Sequence, residues 1–212
     1  MAVRGRLEVH PLTPERWPHF VELFERRGPR GGHCNSPAYG CWCMYWRDRS
    51  LGHGAPKMRA MAALVRTGAE PGLLAYEDGK PMGWVSVAPR EQFRALLASP
   101  QYRPLAPEAG VWSIVCFLVD RYARRRGLAA ALLAAALEHA FARGAAAVEA
   151  YPHRANTSDY MGSLPLYEKA GFKHVRDANK RAIYGRRRAP LTSAPSRSAR
   201  SRGNRRPRGT RA

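Results

Sequence analysis

The sequence predicts an α/β or α+β fold built on one mixed β-sheet. Three features indicate it: a hairpin pattern in the middle of the chain, a long apolar strand after it, and an amphipathic helix directly after that strand. Helices interleaved with strands are typical of layered folds that contain both. At 212 residues, of which 45% are hydrophobic, the chain is large enough for one core with appendages.

The N-terminal third is predicted to supply one strand and two helices. Residues 6–12 alternate as a strand does, and Thr13-Pro14-Glu15 resembles a helix start with an N-cap, a first-turn Pro and an acid. The predicted elements are a strand at 6–12, a helix from 13 to about 27, a loop at 28–56 and a helix from about 56 to 67.

The remaining two thirds are predicted to hold most of the sheet. Asp78-Gly79 separates two apolar runs within 72–90, as in a hairpin whose turn tolerates positive φ. The run VWSIVCFLV at 111–119 indicates a central strand buried on both faces. The other predicted elements are a short helix within 90–109, a helix from about 127 to 143, a strand at 146–152, a helix at 163–170 and strands at 172–176 and 181–185.

Composition limits the class of protein. The longest apolar run, Gly127 to Leu137, is 11 residues, too short to cross a bilayer, and the N-terminus lacks the apolar core of a signal peptide. Four clustered cysteines are too few for a secreted disulfide framework. We therefore expect a cytoplasmic protein with no membrane partner.

The net charge of +20 is unevenly distributed. Residues 186–212 hold ten arginines and no acid, and they are rich in Ser, Pro and Gly. Such a segment has almost nothing to bury, so we expect a disordered tail after a domain at 1–185. The tail suits non-specific contact with nucleic acid through phosphates, or a solvated extension without a specific partner.

A basic turn follows the predicted central strand. Residues 123–130, ARRRGLAA, open a helix, and a helix N-terminus presents unpaired amides and the positive end of the dipole. Gly127 and Ala129 lack bulk, so a pyrophosphate can approach the backbone closely. The spacing R-x-x-G-x-A matches many proteins, and by itself it leaves open whether the turn faces a phosphorylated cofactor or nucleic acid.

Two motifs together resemble the GNAT superfamily of acyl-CoA-dependent N-acyltransferases. FLVDRYARRRGLAAALLAAALEHA resembles the family's central cofactor motif, and LYEKAGF at 166–172 resembles the helix before its final hairpin. The resemblance is strong over about 111–185, and the order of elements extends it to residue 6. It implies a central mixed, mostly antiparallel sheet of about six or seven strands, flanked by helices and splayed at the central strands for CoA. The segment CWCMYWR is also similar to uncharacterised bacterial members.

The resemblance implies a set of acetyl-CoA-binding residues. Backbone groups of Phe117, Leu118 and Val119 would pair with the pantetheine arm, and an N–H near Val119 would meet the oxyanion. The pyrophosphate would be held by Arg124, Arg125, Arg126, Gly127, Leu128, Ala129 and Ala130. Acetyl-CoA is therefore the expected co-substrate.

Catalytic candidates follow from the same resemblance. Tyr167 matches the family tyrosine near the cofactor sulfur, where a proton donor helps a thiolate leave, although a tyrosine at this position can also simply pack. Strand alternation favours Glu149 as the general base, with Glu108, His153 and Asp159 as alternatives. Many relatives carry Asn seven residues before the tyrosine, and here that position is Tyr160.

The loop HCNSPAYGCWCMYW allows two interpretations. Zinc ligation by His33, Cys34, Cys41 and Cys43 is disfavoured because C-x-C lacks the spacing of a C-x-x-C knuckle, so we expect no metal. Cysteines buried beside aromatic side chains are the alternative. The candidate wall of the acceptor pocket comprises Trp42, Tyr45, Trp46, Tyr151 and Tyr160, although core packing explains such aromatics equally well.

The function expected from these features is acetyl transfer from acetyl-CoA to a primary amine. A small-molecule amine is the leading candidate for the acceptor. The amine would attack directly, with Tyr167 as general acid. Acetylation of a protein N-terminus or lysine is one alternative. Another is a non-catalytic RNA- or ribosome-associated protein that uses the same fold and is anchored by its basic tail. A monomer and a homodimer are both compatible with the sequence.

Overall fold

One mixed sheet of seven strands organises the part of the molecule that the structure describes. The computed structural model describes residues 6–27, 40–104, 108–155 and 159–188. The strands are β1 Leu7–Pro11, β2 Gly72–Glu77, β3 Lys80–Pro89, β4 Val111–Val119, β5 Ala147–Ala150, β6 Lys173–Ala178 and β7 Arg181–Arg187. The helices are α1 Trp17–Glu25, α2 Ala55–Arg66, α3 Arg94–Leu97, α4 Leu128–Ala142 and α5 Leu164–Lys169.

The strand order is β1-β2-β3-β4-β5-β7-β6. Neighbouring strands are antiparallel except β4 and β5, which run parallel because the crossover helix α4 connects them. The mixed, mostly antiparallel sheet predicted from the sequence is confirmed.

Helices cover both faces of this sheet. α4 packs across β1 to β4 on one face, in a core that also includes Tyr167 and Phe172. On the other face a second core includes Phe20 and Phe24 of α1 and Met61 and Val65 of α2. Burial on both faces explains the nearly continuous apolar sequence of β4.

The hairpin turn has the predicted geometry. Asp78 and Gly79 have φ of 51° and 76°, left-handed values that suit a two-residue turn between twisted strands. Other boundaries differ slightly from the predictions. Residues 14–16 form a 3-10 turn, so that α1 begins at Trp17, and β7 extends to Arg187, two residues beyond the predicted strand end.

The sheet is splayed at its central parallel pair. β5 pairs with β4 along Val111–Ile114 and ends at Ala150, whereas β4 continues to Val119 beside β3. The second half of β4 therefore has one edge that β5 does not cover. This opening positions the candidate site. Among the described residues, no helix has the length and apolar character needed to cross a membrane.

Candidate active site

A cavity of about 650 Å³ lies along the uncovered edge of β4 and the start of α4. We call it the turn cavity. Its lining residues are Phe117, Leu118, Val119, Ala123, Arg124, Arg125, Gly127, Leu128, Ala129, Ala130, Asp159, Tyr160, Gly162, Ser163 and Leu166. Nine of the ten residues predicted to bind the cofactor are among them. The exception is Arg126, whose guanidinium forms an ion pair with Glu77.

The turn before α4 presents backbone amides to this cavity. Arg125 and Gly127 have φ of 60° and 89°, so the chain passes twice through the left-handed region within three residues. The first α4 bond runs from the Ala131 amide to the Gly127 carbonyl. The amides of residues 128–130 therefore precede the helical ladder, and they form an anion-binding end flanked by Arg124 and Arg125.

A buried carboxylate fixes the entry to this turn. Asp120, fully buried, directly follows β4 and accepts a hydrogen bond of 2.9 Å from the Tyr122 amide. Its other carboxylate oxygen pairs with Arg26 at 3.0 Å, and Arg26 also donates to the Pro81 carbonyl at 3.0 Å. Arg26 directly follows α1, so its contacts with Asp120 and Pro81 hold the turn against α1 and β3 and pair the buried charge. Asp120 was not among the residues predicted from the sequence, although an acid directly after a buried strand is a usable signal.

One backbone group assigned to pantetheine already has a partner in the structure. The Phe117 amide donates to the Tyr160 carbonyl at 2.5 Å. The segment at 159–162 therefore runs along the uncovered edge of β4. Further along the same strand, the Val119 carbonyl accepts a hydrogen bond of 3.2 Å from Arg124 Nε.

A second cavity of about 570 Å³ adjoins the first, and we call it the aromatic cavity. Asp159 and Tyr160 line both cavities and so mark their junction. Tyr45 and Trp46 line this second cavity, with the Arg49 guanidinium 4.7 and 4.5 Å from their ring centroids. Three of the five residues predicted for the acceptor pocket thus line this cavity.

The other two predicted acceptor residues belong to the core. Trp42 is 1% exposed and stacks on Phe24 with a centroid distance of 5.2 Å. Tyr151 is fully buried, and its hydroxyl hydrogen-bonds to Ser113 at 2.8 Å and to Glu149 at 3.1 Å. Both side chains pack inside the protein and line neither cavity, so the structure does not favour their predicted place in the wall of an acceptor pocket.

The aromatic cavity is lined by more bases than acids. Its lining includes Arg49, His53, Lys57 and Arg181, and Asp159 is the single acidic side chain among the described lining residues. Asp159 pairs with Arg181. Arg49 and Lys57 have no carboxylate within 4 Å among the described residues. The cavity is therefore positively charged.

Tyr167 lies one layer behind the wall of the turn cavity. It is fully buried, and its hydroxyl donates to the Met161 carbonyl at 2.6 Å. Gly162, which does line the cavity, is packed so closely that a Cβ built on it would lie 2.9 Å from that hydroxyl. Burial raises the pKa of Tyr167 well above its ordinary value, so the hydroxyl keeps its proton. Its role as general acid stays a prediction, and the geometry does not favour it.

The four candidates for general base occupy different places. Glu149 pairs with Arg90 at 3.1 Å and lines neither cavity. Glu108 pairs with Arg187 at 2.9 Å, and His153 lies in a small cleft near β6 and β7. Asp159 alone of the four lines both cavities. The structure therefore favours Asp159 over Glu149, the candidate preferred from the sequence.

Comparisons with known proteins agree with this architecture. The model of the acetyltransferase (GNAT) family matches residues 34–172. No curated protein sequence matches the chain. At sequence identities between 14% and 20%, similarity to solved structures shows the fold alone.

Several solved structures share that fold. AAC(6')-Ib in complex with ribostamycin and coenzyme A is 17% identical, with a TM-score of 0.56 over 87% of this chain and 94% of its own. PaiA N-acetyltransferase from Thermoplasma acidophilum, in complex with coenzyme A, is 14% identical, with a TM-score of 0.53 over 86% of this chain and 99% of its own. The GNAT domain of PAT from S. lividans is 20% identical, with a TM-score of 0.53 over 86% and 91% of the two chains.

The splayed sheet, the glycine-containing turn before α4 and the family match over 34–172 lead to one conclusion. The chain belongs to the GNAT acetyltransferase family.

Proposed function

We propose that this protein transfers an acetyl group from acetyl-CoA to a primary amine of a small molecule by direct attack. The observation that carries the proposal is the meeting of two cavities at Asp159 and Tyr160. One cavity offers an anion-binding turn for the donor, and the other offers a space lined by aromatic side chains for the acceptor. Solved structures of this fold contain coenzyme A, and one also contains ribostamycin.

The turn cavity suits the donor. The amides of Leu128–Ala130 and the side chains of Arg124 and Arg125 would hold the pyrophosphate, which carries negative charge. A Cβ built on Gly127 meets no atom within 4 Å, so space for a ligand lies directly over that residue. When bound, acetyl-CoA supplies the activated acetyl group. The uncovered edge of β4 would orient its pantetheine arm through backbone groups other than the Phe117 amide, which donates to the Tyr160 carbonyl.

The junction supplies the groups that move protons. Asp159 would accept the proton of the incoming ammonium. Because Arg181 already occupies part of its carboxylate, the proton would pass through a water molecule. Tyr160 is 40% exposed, and burial among neighbouring groups raises its pKa above the ordinary value, so it carries a proton at neutral pH. We assign it the donation of a proton to the departing thiolate, a role that the sequence-based prediction gave to Tyr167.

The charge of the aromatic cavity indicates the class of acceptor. Arg49 and Lys57 would repel a polycationic amine such as an aminoglycoside, whereas they would attract a carboxylate or phosphate. Tyr45 and Trp46 offer flat apolar surface beside these cations. The favoured acceptor is therefore an amine that also carries an acidic group and an apolar or planar body.

Product mass spectrometry with acetyl-CoA tests this proposal. The acceptors would be matched pairs of amines with and without a carboxylate or phosphate, together with aminoglycosides and peptides. We expect addition of one acetyl group to acidic, aromatic amines, and weaker turnover of their uncharged partners. Preferred acetylation of peptides or aminoglycosides would contradict the acceptor class. Native mass spectrometry that detects bound RNA and no bound CoA would contradict the enzymatic function itself.

A further inference from the structure

Three cysteines meet at the wall of the aromatic cavity. The sulfur atoms of Cys41, Cys43 and Cys116 all lie within 4.8 Å of one another. Cys41 and Cys43 belong to the loop before α2, whereas Cys116 lies in β4 next to Phe117. Cys43 and Cys116 are buried, and Cys41 is partly exposed. The sequence predicted no such cluster, because Cys116 is more than 70 residues away from the other two along the chain.

The loop adopts an unusual backbone to bring two of these sulfurs together. Trp42 and Cys43 have φ of 39° and 51°, two successive left-handed residues with side chains. The left-handed region is unfavourable for residues with a Cβ, so this backbone is held by the surrounding structure. The tight turn overcomes the C-x-C spacing that had argued against a common site. The earlier zinc interpretation also used His33 and Cys34, which lie outside the described residues.

A hydrogen-bond donor is directed at one of the sulfur atoms. Trp84 Nε1 donates to Cys43 Sγ at 2.7 Å. N–H donors directed at sulfur stabilise the thiolate, which is the form that binds metal ions.

Buried positive charge lies next to the cluster. Arg47 is 7% exposed, its guanidinium interacts electrostatically with Cys43, and its hydrogen bonds run to the neutral oxygens of Gln92 and Pro71. Lys57 is 3% exposed and lines the same cavity. Among the described residues, neither cation has a carboxylate within 4 Å. Buried cations favour negative charge nearby, and three thiolates around a metal ion would supply it.

We propose that Cys41, Cys43 and Cys116 bind one thiophilic divalent cation, with Zn²⁺ as the natural candidate. Tetrahedral Zn–S bonds of about 2.3 Å place sulfurs about 3.8 Å apart, which the observed cluster accommodates. Three thiolates and Zn²⁺ carry a net charge of −1, which balances one neighbouring cation. The ion would tie the loop that carries Tyr45 and Trp46 to β4 and so fix the wall of the aromatic cavity. This inference does not depend on the proposed reaction.

Metal content and cobalt spectroscopy test the site on the full-length, tag-free wild type. We expect about one zinc per chain after purification without chelators. After removal of zinc, anaerobic addition of Co²⁺ should produce thiolate-to-cobalt absorption in the near ultraviolet and intense visible bands of tetrahedral Co²⁺. A reduced wild type with neither stoichiometric metal nor these bands overturns the proposal. A disulfide between any two of the three cysteines in protein purified under reducing conditions overturns it as well.

Variants locate the ion. Cys116→Ser should lose the cobalt bands and most of the bound zinc. Ser86→Ala is the matched control, because Ser86 is buried and lies opposite Cys116 in the β3–β4 register, and it should keep both. Full retention of metal by Cys116→Ser would contradict the assignment. Should that variant not fold, the wild-type measurements still decide.

Discussion

Gly127 combines a conformational requirement with open space at the turn cavity. Its φ of 89° lies in the region where residues with a Cβ are strained, and the space above it is open. Gly144, at the opposite end of α4, has φ of 85° and equally open surroundings. The two glycines therefore share their backbone requirement, but only Gly127 lines the turn cavity.

Gly127→Glu should abolish binding of acetyl-CoA. The new carboxylate would repel the pyrophosphate at the end of the helix, where the amides meet it. Gly144→Glu is the matched control, since it introduces similar strain and the same charge away from the cavity. Isothermal calorimetry on both folded variants measures the difference. Equal affinities would refute the assignment of the phosphate-binding turn.

Two tyrosines compete for the role of general acid. We expect Tyr160→Phe to lower kcat about tenfold or more with the affinity for acetyl-CoA preserved, because this phenol lines both cavities. Tyr167→Phe should instead lower the free energy of unfolding by about 1–3 kcal/mol, because it leaves the buried Met161 carbonyl without its donor. Steady-state kinetics and urea unfolding separate the two effects. A loss of kcat confined to Tyr167→Phe would restore the role predicted from the sequence.

At the scale of elements, α4 joins the turn cavity to the core. Its N-terminal end faces the turn cavity, and its buried residues pack on the sheet. Its last turn contains His139, which is 8% exposed and packs edge-on against Trp112 of β4. Burial, followed by the charge of Arg143, lowers the pKa of His139 to about 4, although Glu70 acts in the opposite direction. His139 is therefore neutral in the folded protein at pH 7.

The lowered pKa of His139 predicts a loss of stability in mild acid. The unfolded chain binds this proton below about pH 6.5, whereas the folded chain resists it until about pH 4. Stability from this group is complete above pH 6.5 and falls as the pH approaches 4, by about 1–2 kcal/mol at pH 5. Urea unfolding at pH 7.5 and 5 should show a smaller loss for His139→Gln than for the wild type. Identical losses would exclude this histidine as the source.

At the scale of the molecule, the sheet extends to the edge of the basic tail. Arg186 and Arg187 pair with β5, Arg186 Nη1 donates to the Ala170 carbonyl at 2.6 Å, and the Arg188 amide donates to the Ala146 carbonyl at 3.0 Å. These residues were predicted to belong to the tail. The division into a domain and a tail stays a prediction, and its boundary is better placed after Arg188. Residues beyond it lie outside the described part of the chain.

Two truncations test that boundary. Deletion of 189–212 removes seven arginines and should leave acetyl-CoA affinity and turnover nearly intact, while most low-salt retention on heparin or RNA is lost. Deletion of 186–212 also removes strand pairing beside the splay, and it should lower the melting temperature clearly. Calorimetry, salt-gradient chromatography and thermal melts measure these effects. If the variant that lacks 189–212 folds but loses turnover, the tail contributes to the active site.

Local patterns in the sequence were sufficient to predict most of the elements. Alternation, apolar runs and the Asp78-Gly79 pair act over a few residues, so the strands, the hairpin and the mixed sheet could be predicted. The residues that the family resemblance assigned to the cofactor lie in two short stretches of the chain, and nine of the ten line one cavity.

Tertiary structure decided which side chains from distant segments face each other. The sequence does not distinguish an aromatic residue that lines a pocket from one that fills the core. Of the predicted set, Tyr45 and Trp46 line the aromatic cavity, whereas Trp42 and Tyr151 are buried in the core. Glu149 is paired with Arg90, and Asp159 lines both cavities, because the strand and loop geometry directs them there. The approach of Cys116 to Cys41 and Cys43 arises only when β4 packs beside the aromatic loop, a contact that no spacing along the chain encodes.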